Sequence, residues 1–193
     1  VPGGKCCIGL TGRMASGKGE AVRILTAYGF AYVSLSDIVR REAARGGGTV
    51  SRGVMQDIGN RLRAEGGAGV LGRMVRERIA AAAEARWVID GIRNPAEVRE
   101  LKKISDFFLI AIDCPVPTIL ARMKQRGRAT DAVSQAELRA SLEREWGLGE
   151  PEGGQQVGPA MAMADFTVPN DGTLADLRSR LDEVLEKIGV RHE

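Results

Sequence analysis

Residues Gly9–Ala21 read "GLTGRMASGKGEA" and follow the apolar run "CCIGL" (Cys6–Leu10). Within them Gly12-Arg13-Met14-Ala15-Ser16-Gly17-Lys18 satisfies the phosphate-loop pattern G-x-x-x-x-G-K, set between a strand signal and a helical pattern. Glycines let the backbone turn so that N–H groups at Gly12, Ala15, Ser16 and Gly17 surround phosphate oxygens. Lys18 adds a full charge against the β- and γ-phosphates, and the helix N-terminus adds a partial one. In the common form of the loop the residue after the lysine is Ser or Thr, whose hydroxyl binds Mg²⁺; here it is Gly19, which has no side chain to offer. Glu20, next in line, is either a first-turn capping acid or an outer acceptor for a hydrated Mg²⁺.

Outward from the loop, short apolar runs alternate with helical spacing. "CCIGL", "FAYVSL", "WVID", "FFLIAID" and a shorter "DFTV" have the β-branched and aromatic content of buried parallel strands. Asn94-Pro95-x-Glu97 and Thr173-x-x-Asp176 carry helix-start chemistry, as does Ser134-x-x-Glu137. Leu174, Leu177, Leu181, Val184, Leu185 and Ile188 form one apolar stripe. Strands alternating with helices predict an α/β fold with a mainly parallel sheet. The chain is expected to form one domain over 1–193, with two excursions from the sheet: a helical region over 36–85 and an Arg-rich region over 126–160.

The 193 residues, 44% hydrophobic and 27% charged, have the make-up of an ordinary globular protein. No run approaches the ~18 apolar residues of a membrane span, and the N-terminal "VPGGK" carries no secretory-signal pattern. Cys6 and Cys7, as neighbours on one strand, point to opposite faces and are badly placed to pair. With no CxxC and one histidine, His192, no zinc site is expected. Three thiols in apolar runs predict a cytoplasmic protein. Of the 28 basic residues only six are lysine, so 22 are arginine. Arginine grips phosphate bidentately, but a GC-rich genome gives the same bias, so composition alone names no partner. Oligomeric state leaves no mark in the sequence.

Three further segments bear on the reaction. "VIDGIRN" (Val88–Asn94) ends a buried strand with Asp90, the position from which a phosphate-loop enzyme orients Mg²⁺ or its water, and Arg93 follows at the carboxyl edge. "VSLSDIVRREA" (Val33–Ala43) follows the second strand. "ILARMKQRGRATD" (Ile119–Asp131) sets Arg122 and Arg126 four apart on one helix face, with Arg128 beyond. Arg139 and Arg144, on the next helix, either face the same site or form a solvated basic face.

Together, Gly9 to about Leu185 resembles an adenylate-kinase-like family of phosphate-loop kinases common in archaea, with GKGE in the loop, SDxxRxEA, DGIR and a terminal NxGT. The resemblance implies a five-stranded parallel sheet with helices on both sides, an acceptor-binding helical excursion (36–85) and a short lid (126–160). It places Asp37 and Arg40 on the acceptor helix with Arg93. It puts Arg122, Arg126 and Arg128 over ATP and the transferring group, and Asn170 and Gly172 against the adenine. Departures from better-known relatives are plain. Adenylate kinases carry Thr after GKG and a longer lid, and their acid–arginine spacing is one residue longer; dephospho-CoA kinases carry GKST.

The expected function is γ-phosphoryl transfer from ATP, with Mg²⁺, to a nucleotide-like acceptor, foremost a (deoxy)nucleoside monophosphate. Lys18, Asp37, Asp90, Arg126 and Arg128 would carry catalysis, and Asp90 would hold Mg²⁺ through water. A monophosphate acceptor needs no general base, whereas a hydroxyl acceptor does, and Asp37 is the expected one. The rivals are a kinase of a hydroxyl on dephospho-CoA or on a modified base in DNA, and a nucleotide-binding switch that is no kinase. No membrane partner is expected.

Overall fold

The computed structural model describes residues 5–45, 52–126 and 135–190. Its sheet has five parallel strands, β1 (Cys6–Thr11), β2 (Ala31–Ser34), β3 (Arg86–Ile92), β4 (Asp106–Asp113) and β5 (Phe166–Pro169), in the order β2-β3-β1-β4-β5. These are the five apolar runs, and the α/β expectation holds. The central strand β1 is buried along its whole length, as a strand covered on both faces must be.

Period-two alternation splits the core. Ile8 and Leu10 join Val88, Ile110 and Ile112 under helices α1 (Lys18–Ala27) and α9 (Leu174–Lys187). Cys7, Ile89 and Leu109 face the other way, under α2 (Leu35–Arg45), α4 (Val70–Ala81) and α5 (Pro95–Leu101). Adjacent thiols therefore lie in opposite layers, and all three cysteines are free and buried. Between α2 and α4 lies α3 (Arg52–Gly66). Beyond β4 the chain forms α6 (Val116–Arg126), α7 (Gln135–Trp146) and the short α8 (Val157–Met161).

Both described capping boxes form. Asn94 and Glu97 cap α5, and Thr173 and Asp176 cap α9; Ser134 lies outside the described residues. Of the stripe on α9, Leu177, Leu181, Val184 and Leu185 are buried, but Leu174 is 58% exposed. It sits in the first turn, at the rim of the cleft described below rather than in the core. Among the described residues no helix is long and apolar enough to cross a membrane.

One irregularity in the sheet matters for the site. Gly9 pairs with Ile89 and Thr11 with Ile92, so Asp90 and Gly91 together face the single residue Leu10. A two-against-one bulge of this kind bends the strand and re-aims its side chains. Here it occurs at the acidic residue on the carboxyl edge, where open α/β sheets bind ligands.

Candidate active site

The loop between β1 and α1 has the backbone its sequence requires. Gly12 and Gly17 adopt φ of 140° and 106°, and Ala15 takes φ 55°. Added Cβ atoms would overlap the Ile112 carbonyl at Gly12 and the Asn170 amide at Gly17, so both positions need glycine twice over. No side chain caps α1, which leaves the amides at its N-terminus to a ligand. Lys18 folds back over the loop, its Nζ donating to the carbonyls of Gly12 (2.6 Å) and Arg13 (2.8 Å). Burial pushes its ammonium below the ordinary lysine value; the nearby carboxylates of Glu145 and Asp90 oppose that shift, and Arg93 adds to it.

A cleft of about 630 Å³ opens from this loop. Gly17, Lys18, Gly19 and Glu20 line it from α1 and the loop, Arg40 from α2, Asp90 and Arg93 from the end of β3, Arg122 from α6, and Asn170 and Gly172 from the loop after β5. Residues far apart in sequence thus converge, and most of the expected set is present. Asp90 accepts the amide of Gly91 at 2.7 Å, which anchors its carboxylate at the bulge. Arg122 donates to Cys114 Sγ at 3.4 Å. Glu20 pairs with Arg23 on the surface of α1 at 3.1 Å. Asp37 does not line the cleft; it pairs with Arg40, which does. Arg128, and the side chain of Arg126, lie outside the described residues.

Asn170 lines the cleft and also braces the loop. Its Nδ2 donates to the Ser16 carbonyl at 2.6 Å, and its own amide donates to Asp113 at 2.6 Å, so it ties the phosphate loop to the end of β4.

Of the two alternatives for the arginines of α7, the first does not hold: neither Arg144 nor Arg139 lines the cleft. Arg144 turns away from the cleft to Glu150 (2.8 Å), Gln56 (3.1 Å) and Asp57 (3.3 Å), joining α7 to α3. Arg139 lines a separate groove with Val116, Leu120 and Lys124. Glu145 of α7, 1% exposed, reaches the phosphate loop instead, its Oε2 accepting the Met14 amide at 2.7 Å. Beside it, the Trp146 ring receives the Arg13 guanidinium at 4.0 Å. A signal for Glu145 was available: Leu138, Leu142 and Glu145 follow i, i+4, i+7 spacing, which places the carboxylate on the buried stripe of α7.

Also unforeseen is the pair Arg63–Glu97, at 2.8 Å with side chains only 3% and 0% exposed. Glu97 Oε1 receives both Nε and Nη2 of Arg63, while Oε2 accepts the amides of Arg93 and Asn94. This pair fastens α3 to the turn that presents Asp90 and Arg93.

The design serves phosphate: loop glycines at left-handed φ, the uncapped N-terminus of α1, the half-buried Lys18 and converging arginines. For Mg²⁺, Asp90 is the carboxylate at the strand end, Gly19 contributes no ligand, and no group of three His, Cys, Asp or Glu gathers among the described residues. That donor set fits an ion held on nucleotide phosphates and water, with Asp90 accepting from its shell, rather than one caged by protein.

The sheet order, the loop and the cleft define a P-loop kinase-like domain. Residues 11–139 match the family described as "AAA domain". The chain belongs to the UPF0200 family: it is 35% identical over 187 residues to the UPF0200 protein of Methanoculleus marisnigri, covering 96% of this chain and 98% of that one. Among solved structures it resembles the Thermus thermophilus protein TT1252 (TM-score 0.63, 19% identity, 95% of this chain and 98% of that chain). It also resembles the shikimate kinase of Bacteroides thetaiotaomicron (TM-score 0.57, 14% identity, 94% and 98%). At such identities the likeness is one of fold.

Proposed function

We propose that the protein is an ATP-dependent kinase that transfers the γ-phosphoryl group to a nucleotide-like acceptor, foremost a (deoxy)nucleoside monophosphate. The observation that carries this reading is the convergence of Arg40, Arg93 and Arg122, from three separate elements, on the cleft that holds Lys18. A switch needs the loop; it does not need cations arrayed from α2, β3 and α6 around it. Phosphoryl transfer does, because charge spreads over the phosphoryl oxygens and is stabilised by fixed cations.

In this reading the loop amides and Lys18 bind the β- and γ-phosphates, and Arg122, beside Gly17, neutralises charge on the nucleotide side. Arg40 and Arg93 hold the acceptor on the opposite side. Asp90 would accept hydrogen bonds from the water shell of a Mg²⁺ bound with the nucleotide, an ion that would supply charge neutralisation at the leaving phosphate. A monophosphate acceptor attacks with an oxygen already ionised. A hydroxyl acceptor would need a base, and Asp37, the residue expected for it, would have to leave Arg40 and turn into the cleft first.

The test is ADP release from Mg-ATP across nucleoside monophosphates, dephospho-CoA and hydroxymethylpyrimidine DNA, each against no acceptor and against Lys18→Ala. Acceptor-dependent release, abolished in the variant, is expected with a monophosphate. Release that no acceptor changes would overturn the kinase reading in favour of a switch. A DNA acceptor would show itself further by steep loss of activity with salt.

A further inference from the structure

We propose that Glu145 is a positioning residue that ties α7 to the phosphate loop and holds that loop and Arg93 in one register for phosphoryl transfer. The inference rests on the kinase reading above and assigns the partner element that completes its site. Glu145 sits on the buried stripe of α7, within the last turn of the helix. Its two oxygens face two different parts of the cleft. Oε2 accepts the Met14 amide at 2.7 Å, and Oε1 stands 3.9 Å from Arg93 Nε. That nitrogen is buried and has no hydrogen-bond partner among the described residues, so a closing movement of under about 1 Å would make the ion pair a hydrogen bond.

An ionised carboxylate is costly to bury unless hydrogen bonds and opposite charges surround it. If α7 needed only a packing contact here, a leucine continuing the Leu138–Leu142 stripe would serve better. Instead the position holds a charge, and the groups it faces are functional ones: the loop amide, Arg93 and Lys18. The next residue, Trp146, receives Arg13 on its ring. Two consecutive residues of α7 thus grip two consecutive residues of the loop's leading edge. Asn170 holds the trailing edge through Ser16. The loop is braced from both flanks, and only the Glu145 brace also reaches the acceptor-side arginine. Glu145 touches neither reacting phosphate in this arrangement; it acts through Met14 and Arg93.

The two interactions are separable by substitution. Glu145→Gln keeps a carbonyl oxygen for the Met14 amide and removes the charge. Glu145→Ala removes both. The readouts are hydrogen exchange at the Met14 amide in the nucleotide-free protein, Mg-ATP affinity as a function of pH by calorimetry, and kcat and KM with the acceptor found above.

Met14 protection should survive in Glu145→Gln and vanish in Glu145→Ala. ATP affinity should fall roughly tenfold in Glu145→Ala and no more than about threefold in Glu145→Gln, as expected for losing or weakening one charge-assisted bond. The basic limb of ATP binding should move to lower pH in both variants. Lys18 is faced by the carboxylates of Glu145 on α7 and Asp90 on β3 and by the cation of Arg93, and removing the first leaves its ammonium less supported. With the acceptor, kcat should fall in both variants while acceptor KM changes less.

Unchanged Met14 protection in Glu145→Ala would overturn the proposal. So would tighter ATP binding in that variant, which would make Glu145 an inhibitory contact. Equal losses of melting temperature in both variants, with ATP affinity and the basic limb unmoved, would reduce Glu145 to a packing residue and overturn it as well. Exchange and ATP binding are read without any transfer. A wild-type protein that binds ATP but phosphorylates nothing would therefore refute the kinase reading while the brace is still decided on its own terms.

Discussion

Gly17→Ala and Asn170→Ala, singly and together, test whether the phosphate loop owes its shape to a contact 153 positions away along the chain. In Asn170→Ala the 2.6 Å bond to the Ser16 carbonyl is lost. Asn170 is 5% exposed, so water does not readily replace it. The bond and the stranded carbonyl together should cost about 2 kcal/mol. In Gly17→Ala the residue must keep φ near 106°, a strain of about 2 kcal/mol for a residue with a Cβ. The new Cβ also overlaps Asn170 Nδ2, which forces the amide aside and adds the loss of the same bond, giving about 4 kcal/mol. With Asn170 already removed, only the strain remains to be added. The double variant should therefore also lose about 4 kcal/mol, not the ~6 of simple addition, a coupling of about −2 kcal/mol. Urea unfolding followed by far-UV circular dichroism measures all three. Additive losses, within about 0.5 kcal/mol, would show that Asn170 and Gly17 do not meet and would refute the packing argument.

Three other outcomes follow from particular contacts. Glu97→Gln leaves the Arg63 guanidinium buried without its counter-ion; it should cost about 3–5 kcal/mol and lower Tm by about 10 °C in a thermal melt. A loss under about 1 kcal/mol would mean that the pair is solvated. Because Lys18 is held below the ordinary lysine value, Mg-ATP affinity should be full below that lowered pKa and fall as pH rises through it. Over the same window, up to the unfolded lysine value, the folded protein binds fewer protons than the unfolded one. The burial penalty of Lys18 is thus present below the window and relieved above it, so its contribution to stability rises with pH. Calorimetry of wild type against Lys18→Ala isolates both effects. Finally, burial pushes the Cys7 thiol up to about 12, so an aromatic disulfide reagent at pH 8 should leave Cys7 unmodified until the protein unfolds, as peptide mapping would show.

The strands of the sheet, the phosphate loop and the caps of α5 and α9 are local: each depends on apolar alternation, on G-x-x-x-x-G-K, or on an acid three residues past a cap, and each can be seen in a window of a few residues. Asp90 was legible for the same reason, being an acid that ends a buried run. The bulge that aims it was not, since a bulge is a mismatch between two strands, β1 and β3, and exists only in their pairing.

The arginines show where local reading stops. Arg93 and Arg122 reach the cleft as expected. Arg144 shares a helix with Glu145 yet turns about 100° away from it, to meet Asp57 and Glu150. Charge and proximity in sequence favoured the arginine; the buried stripe of α7 favoured the glutamate, and burial decided. Asn170 lines the cleft and is a strut of the loop as well, because the end of β5 lies next to β4 and so beside Gly17.

A parallel α/β sheet with a phosphate loop at its centre follows from the residues alone, since hydrophobic periodicity and backbone torsion preferences act over short range. Tertiary structure alone decided which charges face that loop. A charged side chain stays at a buried site only where other elements supply its partners, and those elements, α3, α5, α7 and the turn after β5, come from distant parts of the chain.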